Sequence, residues 1–360
     1  MLKVHQRCNL ACDYCYVYEL ADQSWRDRPR VITPALWQAA ARRIGEHATR
    51  HELPHVRVTL HGGEPLLAGI PTLVRIAASL RAAVPCRLTV GLQTNGATLD
   101  ASGLAALAEA GIRVAVSLDG APADHDRHRR LPSGAGSFQA VSAALSLLRT
   151  SPAYAGLLCV IDPTSDPIAT YEALLEWSPP AVDFLLPHAT WASPPGPGYG
   201  AWLAAVFDRW YDAPRRETSV RLFEDLMSLL LGGPGESEQA GLSPVSVAVI
   251  ETDGAIEQVD ALKSTYAGAA ATGHSVLTSS FDDVLLHPGM AARQIGAAAL
   301  APSCLPCPAV SVCGAGHYAH RYRPGSGFRH PTVYCEDMFL LIEHIRRRLI
   351  SSLSVMSSPL

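Results

Sequence analysis

Cys8, Cys12 and Cys15 place three thiols within eight residues, in the run Cys-Asn-Leu-Ala-Cys-Asp-Tyr-Cys. Thiolates are the ligands that soft iron takes, and one short loop can wrap three corners of a four-iron cube while the fourth iron stays open to a further ligand. A zinc knuckle needs a fourth ligand close by, and a disulfide set pairs its members, so an odd triplet suits neither. A second group, Cys304, Cys307, Cys313 and Cys335, supplies four thiols, enough to close the sphere of Zn2+ or of a fully ligated [4Fe–4S] cluster. The first triplet tilts that choice towards iron. Cys86 and Cys159 stand alone in apolar, strand-like runs and read as core thiols.

The elements that must position these groups follow a β/α repeat. Strand patterns fall at Leu2 to Val4, Val56 to Leu60, Leu88 to Leu92, Val114 to Leu118, Leu157 to Ile161 and Val182 to Leu186. Helical patterns lie between them, the first entered through Thr33 as N-cap and Pro34. Six strands, each followed by a helix, mean an α/β fold with a parallel sheet, either a partial barrel or a doubly wound sheet. Polar motifs fall at strand ends: His61-Gly62-Gly63-Glu64-Pro65 after the second, Gln93-Thr-Asn95-Gly96 after the third, and Ser117-Leu-Asp119-Gly120 with Arg129 after the fourth. Glycines let backbone carbonyls approach a ligand, and a carboxylate can accept from an ammonium group. The plain alternative is that these are glycine turns.

The triplet, with Tyr14 at its aromatic position, resembles the C-x3-C-x-aromatic-C signature of radical S-adenosylmethionine (SAM) enzymes. That resemblance implies a partial (β/α)6 barrel over residues 1–187, a [4Fe–4S] cluster on Cys8, Cys12 and Cys15, and SAM chelated by the free iron and cleaved to a 5′-deoxyadenosyl radical. It places Tyr14, Gly62, Gly63, Glu64, Asn95, Ser117, Asp119 and Arg129 around the cofactor, with Glu64 accepting from the SAM ammonium and Ser117 and Arg129 at its ribose and carboxylate. An external electron donor is implied as well.

Pro187 to Gly198 is too rich in proline and glycine for a regular element and opens a linker with bridging helices over 188–240. Residues 241–350 resemble the SPASM or twitch extension of peptide-modifying radical SAM enzymes, whose full pattern uses seven cysteines for two auxiliary clusters. Here Val259 stands at one expected cysteine and His317 at another, so one auxiliary cluster, on the four cysteines above, is expected. Asp260 falls at the position of the general base proposed for sulfatase-maturing relatives, where a partly dry cavity would raise its proton affinity. Residues 351–360 read as a disordered tail.

The C-terminal run Cys313 to Phe328, with Glu251-Thr-Asp-Gly254 and Asp260-Ala-Leu-Lys263, is similar to the cyclophane-forming maturases of ribosomally made peptides. That likeness implies a carbon–carbon crosslink between an aromatic ring and a nearby β-carbon of a precursor peptide; the alternative is sulfatase-maturing-type oxidation of a cysteine or serine. Seven residues precede Cys8, too few for a leader-binding module, so capture is expected at the barrel mouth or through a separate leader-binding protein. A net charge of −4 with mixed signs gives no basic stripe for nucleic acid. No apolar run approaches the ~20 residues that cross a bilayer, and no secretion signal is evident, so a cytoplasmic location is expected.

Overall fold

Ten strands form one sheet in the computed structural model, which describes residues 1–235, 237–245 and 247–356. β1 (Leu2–His5), β2 (His55–Gly62), β3 (Arg87–Thr94), β4 (Ile112–Ser117), β5 (Tyr154–Val160) and β6 (Ala181–Leu185) lie side by side in chain order, every pair parallel. The helices α1 (Pro34–Arg50), α2 (Ile70–Ala83), α3 (Ala101–Glu109), α4 (Pro122–His128), α5 (Phe138–Leu148) and α6 (Pro167–Leu175) fill the crossovers. α7 (Tyr199–Tyr211) leads to the two-residue β7 (Ser219–Val220), which extends the sheet beyond β6. The two ends of the sheet do not pair, and the six-unit β/α core is the partial (β/α)6 barrel expected from the repeat.

Alternation writes this core. Val58 and Leu60, Val90 and Leu92, and Val114 and Val116 are buried, as period-two strands with one apolar face require. α1 turns Trp37, Ala40, Ala41 and Ala48 inward, and Gly45 lets it approach α2 so closely that a Cβ there would overlap the Ala83 carbonyl. The aromatic stripe of α7 is core: Trp202 and Phe207 pack with Phe184 and with Phe223 of α8 (Arg221–Leu230). Among the described residues no helix is long and apolar enough to cross a membrane.

The other edge comes from later chain. β8 (Val249–Ile250), β9 (Ala255–Glu257) and β10 (Ala271–Ser275) form an antiparallel meander, and β8 pairs parallel with β1, Leu2 opposite Ile250. The segment 241–350 is therefore continuous with the barrel sheet. A two-residue strand has no alternation to read, so this joint leaves no trace in the periodicity. After α9 (Phe281–Leu285), α10 (Pro288–Ala291) and α11 (Val310–Cys313), the chain ends in α12 (Cys335–Met356), whose Leu341, Ile342 and Ile345 are buried.

Three expectations change. α12 continues through Met356, so Ser351 to Met356 are helical rather than a disordered tail; residues 357–360 lie outside the described residues. Thr33 has the extended N-cap backbone but its side chain makes no cap hydrogen bond. The stretch Pro122–His128 is helical as α4, which the run of charges and histidines there had hidden.

Candidate active site

All six parallel strands deliver their C-terminal ends to one rim, and the loop after β1 carries Cys8, Cys12 and Cys15. Backbone bonds pin that loop from two sides: Ala11 N donates to Arg130 O at 2.7 Å and Asp13 N to His128 O at 3.4 Å, while Gly63 N donates to His5 O at 2.8 Å and Glu64 N to Arg7 O at 2.9 Å. The two glycines of the second strand's motif serve this approach. A Cβ at Gly62 would overlap the His5 carbonyl, and one at Gly63 would overlap the Tyr18 hydroxyl and press on the Arg7 carbonyl.

Glu64 is placed differently from expectation. It is 1% exposed, and its carboxylate accepts from Leu66 N at 2.9 Å, Thr94 Oγ1 at 2.7 Å and Asn95 N at 2.8 Å. Both oxygens thus tie β2's exit to β3's exit, so Glu64 positions the rim and is not aimed at a SAM ammonium. Asn95, held by that contact, points its Nδ2 at Asn9 Oδ1 at 2.8 Å and at Cys8 Sγ at 3.7 Å. Tyr14 donates to Asp119 Oδ2, which also takes Arg129 Nε at 2.8 Å, while Asp119 Oδ1 accepts from Val160 N at 3.0 Å. The Arg129 guanidinium lies over the Tyr14 ring, its carbon 5.4 Å from the centroid. Ser117 Oγ accepts from Gln93 Nε2 at 3.0 Å, which leaves its hydroxyl proton to donate.

The cysteines are free and close enough to feel one another's charge. Burial pushes the Cys8 thiol up to about 12 and Cys12 to about 11, with Arg129 pulling Cys12 the other way. Three desolvated thiols that cannot pair off fit a metal cluster, which displaces their protons on binding. In the second set, Cys304 and Cys307 sit on turns, Cys313 ends α11 and Cys335 begins α12. The thiols of Cys335 and Cys313 sense that of Cys304, and burial pushes Cys313 to about 11. Arg321 closes this loop by donating to the carbonyls of Gly314 at 2.6 Å, Ala315 at 3.1 Å and Gly316 at 2.8 Å. Its charge favours the Cys304 thiolate, so this donor set also fits a cluster.

Asp260 opens a short 3-10 turn after β9 and is buried beside Lys3 of β1. Lys3 Nζ lies 2.9 Å from Asp260 Oδ2 and 3.1 Å from Glu251 Oε1, and Lys263 Nζ lies 3.3 Å from Asp260 Oδ1 and 3.0 Å from Glu257 Oε2. Arg28 pairs with Glu251 at 2.8 Å and also with Glu257. Burial alone would raise the Asp260 carboxyl, but Lys263 and Lys3 outweigh it and hold the group below the usual carboxylate range. The raised proton affinity expected from a dry cavity is therefore corrected: the lysines keep Asp260 ionised. Although these ion pairs are short, neither Asp260 oxygen has an aligned hydrogen bond, so both keep acceptor capacity. Its charge reaches His61, Tyr16 and His188, and burial holds His61 and His188 neutral, at about 4. Lys3, Lys263, His188 and Tyr16 escaped the sequence reading. Only the identity of Lys263, three residues after Asp260, gave any signal.

Residues 2–160 match the model of the Radical SAM superfamily. A cysteine-type anaerobic sulfatase-maturating enzyme of Clostridium perfringens (strain 13 / Type A) is 25% identical over 271 residues, 70% of this chain and 71% of its own. A serine-type anaerobic sulfatase-maturating enzyme of Bacteroides thetaiotaomicron is 31% identical over 144 residues, 39% of this chain and 34% of its own. In fold, the chain is similar to native anSMEcpe with bound AdoMet, with TM-score 0.84 at 20% identity over 98% of this chain and 99% of that one. Streptococcus suis SuiB bound to its precursor peptide SuiA gives 0.64 at 14% identity over 93% and 75%. With the cysteine loop, the rim contacts and this match in register, the chain is an enzyme built around a radical SAM domain.

Proposed function

We propose that this enzyme modifies a peptide by oxidising a side chain at its β-carbon, removing two hydrogens, with a cysteine or serine side chain as the first target. The observation that carries this reading is the alignment over 70% of the chain with enzymes named for maturing sulfatases at cysteine, taken with a buried, ionised Asp260 whose oxygens lack aligned hydrogen bonds. Cys8, Cys12 and Cys15 would hold the SAM-binding [4Fe–4S] cluster, Ser117, Asn95 and Arg129 the SAM, and Cys304, Cys307, Cys313 and Cys335 an auxiliary cluster. Bound there, these groups supply hydrogen-atom abstraction and a path for one further electron.

The chain's own residues set the rest. The Tyr14–Asp119–Arg129 contact locks the cysteine loop to the ends of β4 and β5, so the reacting centre is held by rigid elements. Asp260, ionised between two lysines, is a weak base that can take a proton only from a substrate group made strongly acidic, as loss of an electron makes it. A crosslink between an aromatic ring and a β-carbon is the second reading. It is favoured by Val259 and His317, which stand where a two-cluster extension has cysteines.

The experiment is mass spectrometry of short peptides incubated with cluster-loaded enzyme, reductant and SAM. Oxidation of a cysteine or serine to an aldehyde, trapped by a hydrazine, is the expected result. A product two hydrogens lighter with fragmentation blocked between an aromatic residue and its neighbour would select the second reading, and an added methyl or sulfur would overturn both. Asp260→Asn is expected to keep SAM cleavage and lose about 100-fold or more of peptide oxidation, the usual worth of a positioned base. Equal loss of both activities would mean that Asp260 serves the fold alone.

A further inference from the structure

Three imidazoles converge beyond the cysteine sets. His188 follows β6, and His317 and His320 lie on the loop after α11; one nitrogen from each falls within 4.8 Å of the others. His188 Nδ1 and His320 Nε2, 132 positions apart, are 3.3 Å from each other. The ring centroids of His317 stand 5.4 Å from His188 and 5.1 Å from His320. Glu238 Oε2 reaches to 3.9 Å from His317 Nε2, while its Oε1 is held by Arg293 Nη2 at 2.9 Å. We propose that His188, His317 and His320, with Glu238 as fourth donor, form a site for a single divalent transition ion, zinc by preference.

Geometry carries the proposal. Zinc holds imidazole nitrogen at about 2.0–2.1 Å, so two tetrahedral ligands stand roughly 3.3–3.4 Å apart. The His188–His320 pair already has that separation. A direct hydrogen bond between two neutral rings would explain this one pair and leave the approach of the third ring and the carboxylate unaccounted for. Burial favours the neutral, ligand-competent form of all three rings. Tyr16 packs edge-on against His188 at 5.0 Å and Tyr334 against His320 at 5.0 Å, fixing both orientations. Ala319 N donates to His317 Nδ1 at 3.3 Å, so ion capture through Nε2 moves the ring proton to Nδ1 and gives up this long contact.

The sequence adds an independent reason. His317 stands where the SPASM pattern has a cysteine, and Val259 removes a second thiol. Exchanging soft sulfur for borderline nitrogen and a carboxylate moves the preference from an iron–sulfur cluster to zinc. Such an ion would tie the end of β6 to the cysteine-bearing C-terminal region, closing a long loop in the unfolded chain.

The test uses the cluster-loaded holoenzyme, equilibrated with micromolar zinc, desalted, and measured for zinc per chain and by zinc X-ray absorption. The expected result is about one zinc in a shell of nitrogen and oxygen near 2.0–2.1 Å. Replacing His188→Ala and His320→Ala together should weaken zinc retention by about 100-fold or more, with iron content unchanged. The absorption shell of the unaltered protein decides the matter even if that variant misfolds. Sulfur at about 2.3 Å, which would place zinc on cysteines, no retained zinc, or retention unchanged in a folded variant would overturn the proposal.

Discussion

Lys3→Met is expected to destabilise the protein by about 3–5 kcal/mol at pH 7, the range for breaking a buried ion pair by removing one partner. Lys3 is fully buried, with Glu251 at 3.1 Å and Asp260 at 2.9 Å, so its loss leaves two carboxylates facing a diminished positive charge. Lys263 and Arg28 remain, which sets the loss nearer the lower end of that range. The readout is the urea midpoint, measured with the denaturant slope unchanged. The pH dependence checks the cause. Against the cost of burial, Lys3 and Lys263 hold the Glu251 carboxyl down at about 2 from an ordinary 4.5, and Asp260 is also held low. Groups depressed in the folded state contribute stability that is complete above pH ~4.5 and disappears as pH falls towards 2. The unaltered protein should lose stability over that window, and Lys3→Met should lose less of it. Equal midpoints at pH 7 would show that the network is not what joins β1 to the C-terminal meander.

What the sequence makes legible is what short range determines. Cys8, Cys12 and Cys15 share one loop, so their chemistry can be read from spacing alone, and the six strands announce themselves by alternation. Glu64 was legible as a polar residue at a strand end, but not in its direction. Its partners Thr94 and Asn95 come from the next strand, and only the β2–β3 register aims the carboxylate at them. The same limit hid the lysine beside Asp260. Lys3 meets it because the two-residue β8 pairs with β1, a contact between chain ends that no window of residues contains. His188 and His320 are likewise joined across 132 positions. The resemblance gave Asp260 a role, and the structure corrects the reason: two lysines keep it ionised and available as an acceptor, where isolation in a dry cavity would have kept it protonated.

The rim itself depends on close backbone contact. Gly62 and Gly63 run against His5 and Arg7, and the Tyr14–Asp119–Arg129 contact holds the loop from the other side. Because the two cysteine sets occupy separate parts of the chain, they can be emptied one at a time. The central claim, that Cys8, Cys12 and Cys15 carry the cluster that cleaves SAM, is tested most directly by 5′-deoxyadenosine formation in anaerobically reconstituted, reduced protein. The unaltered chain should bind about eight irons, two four-iron clusters, and release 5′-deoxyadenosine. With all three cysteines replaced by alanine, about four irons should remain on the second set and 5′-deoxyadenosine should fall to background. Undiminished 5′-deoxyadenosine from that variant would contradict the account.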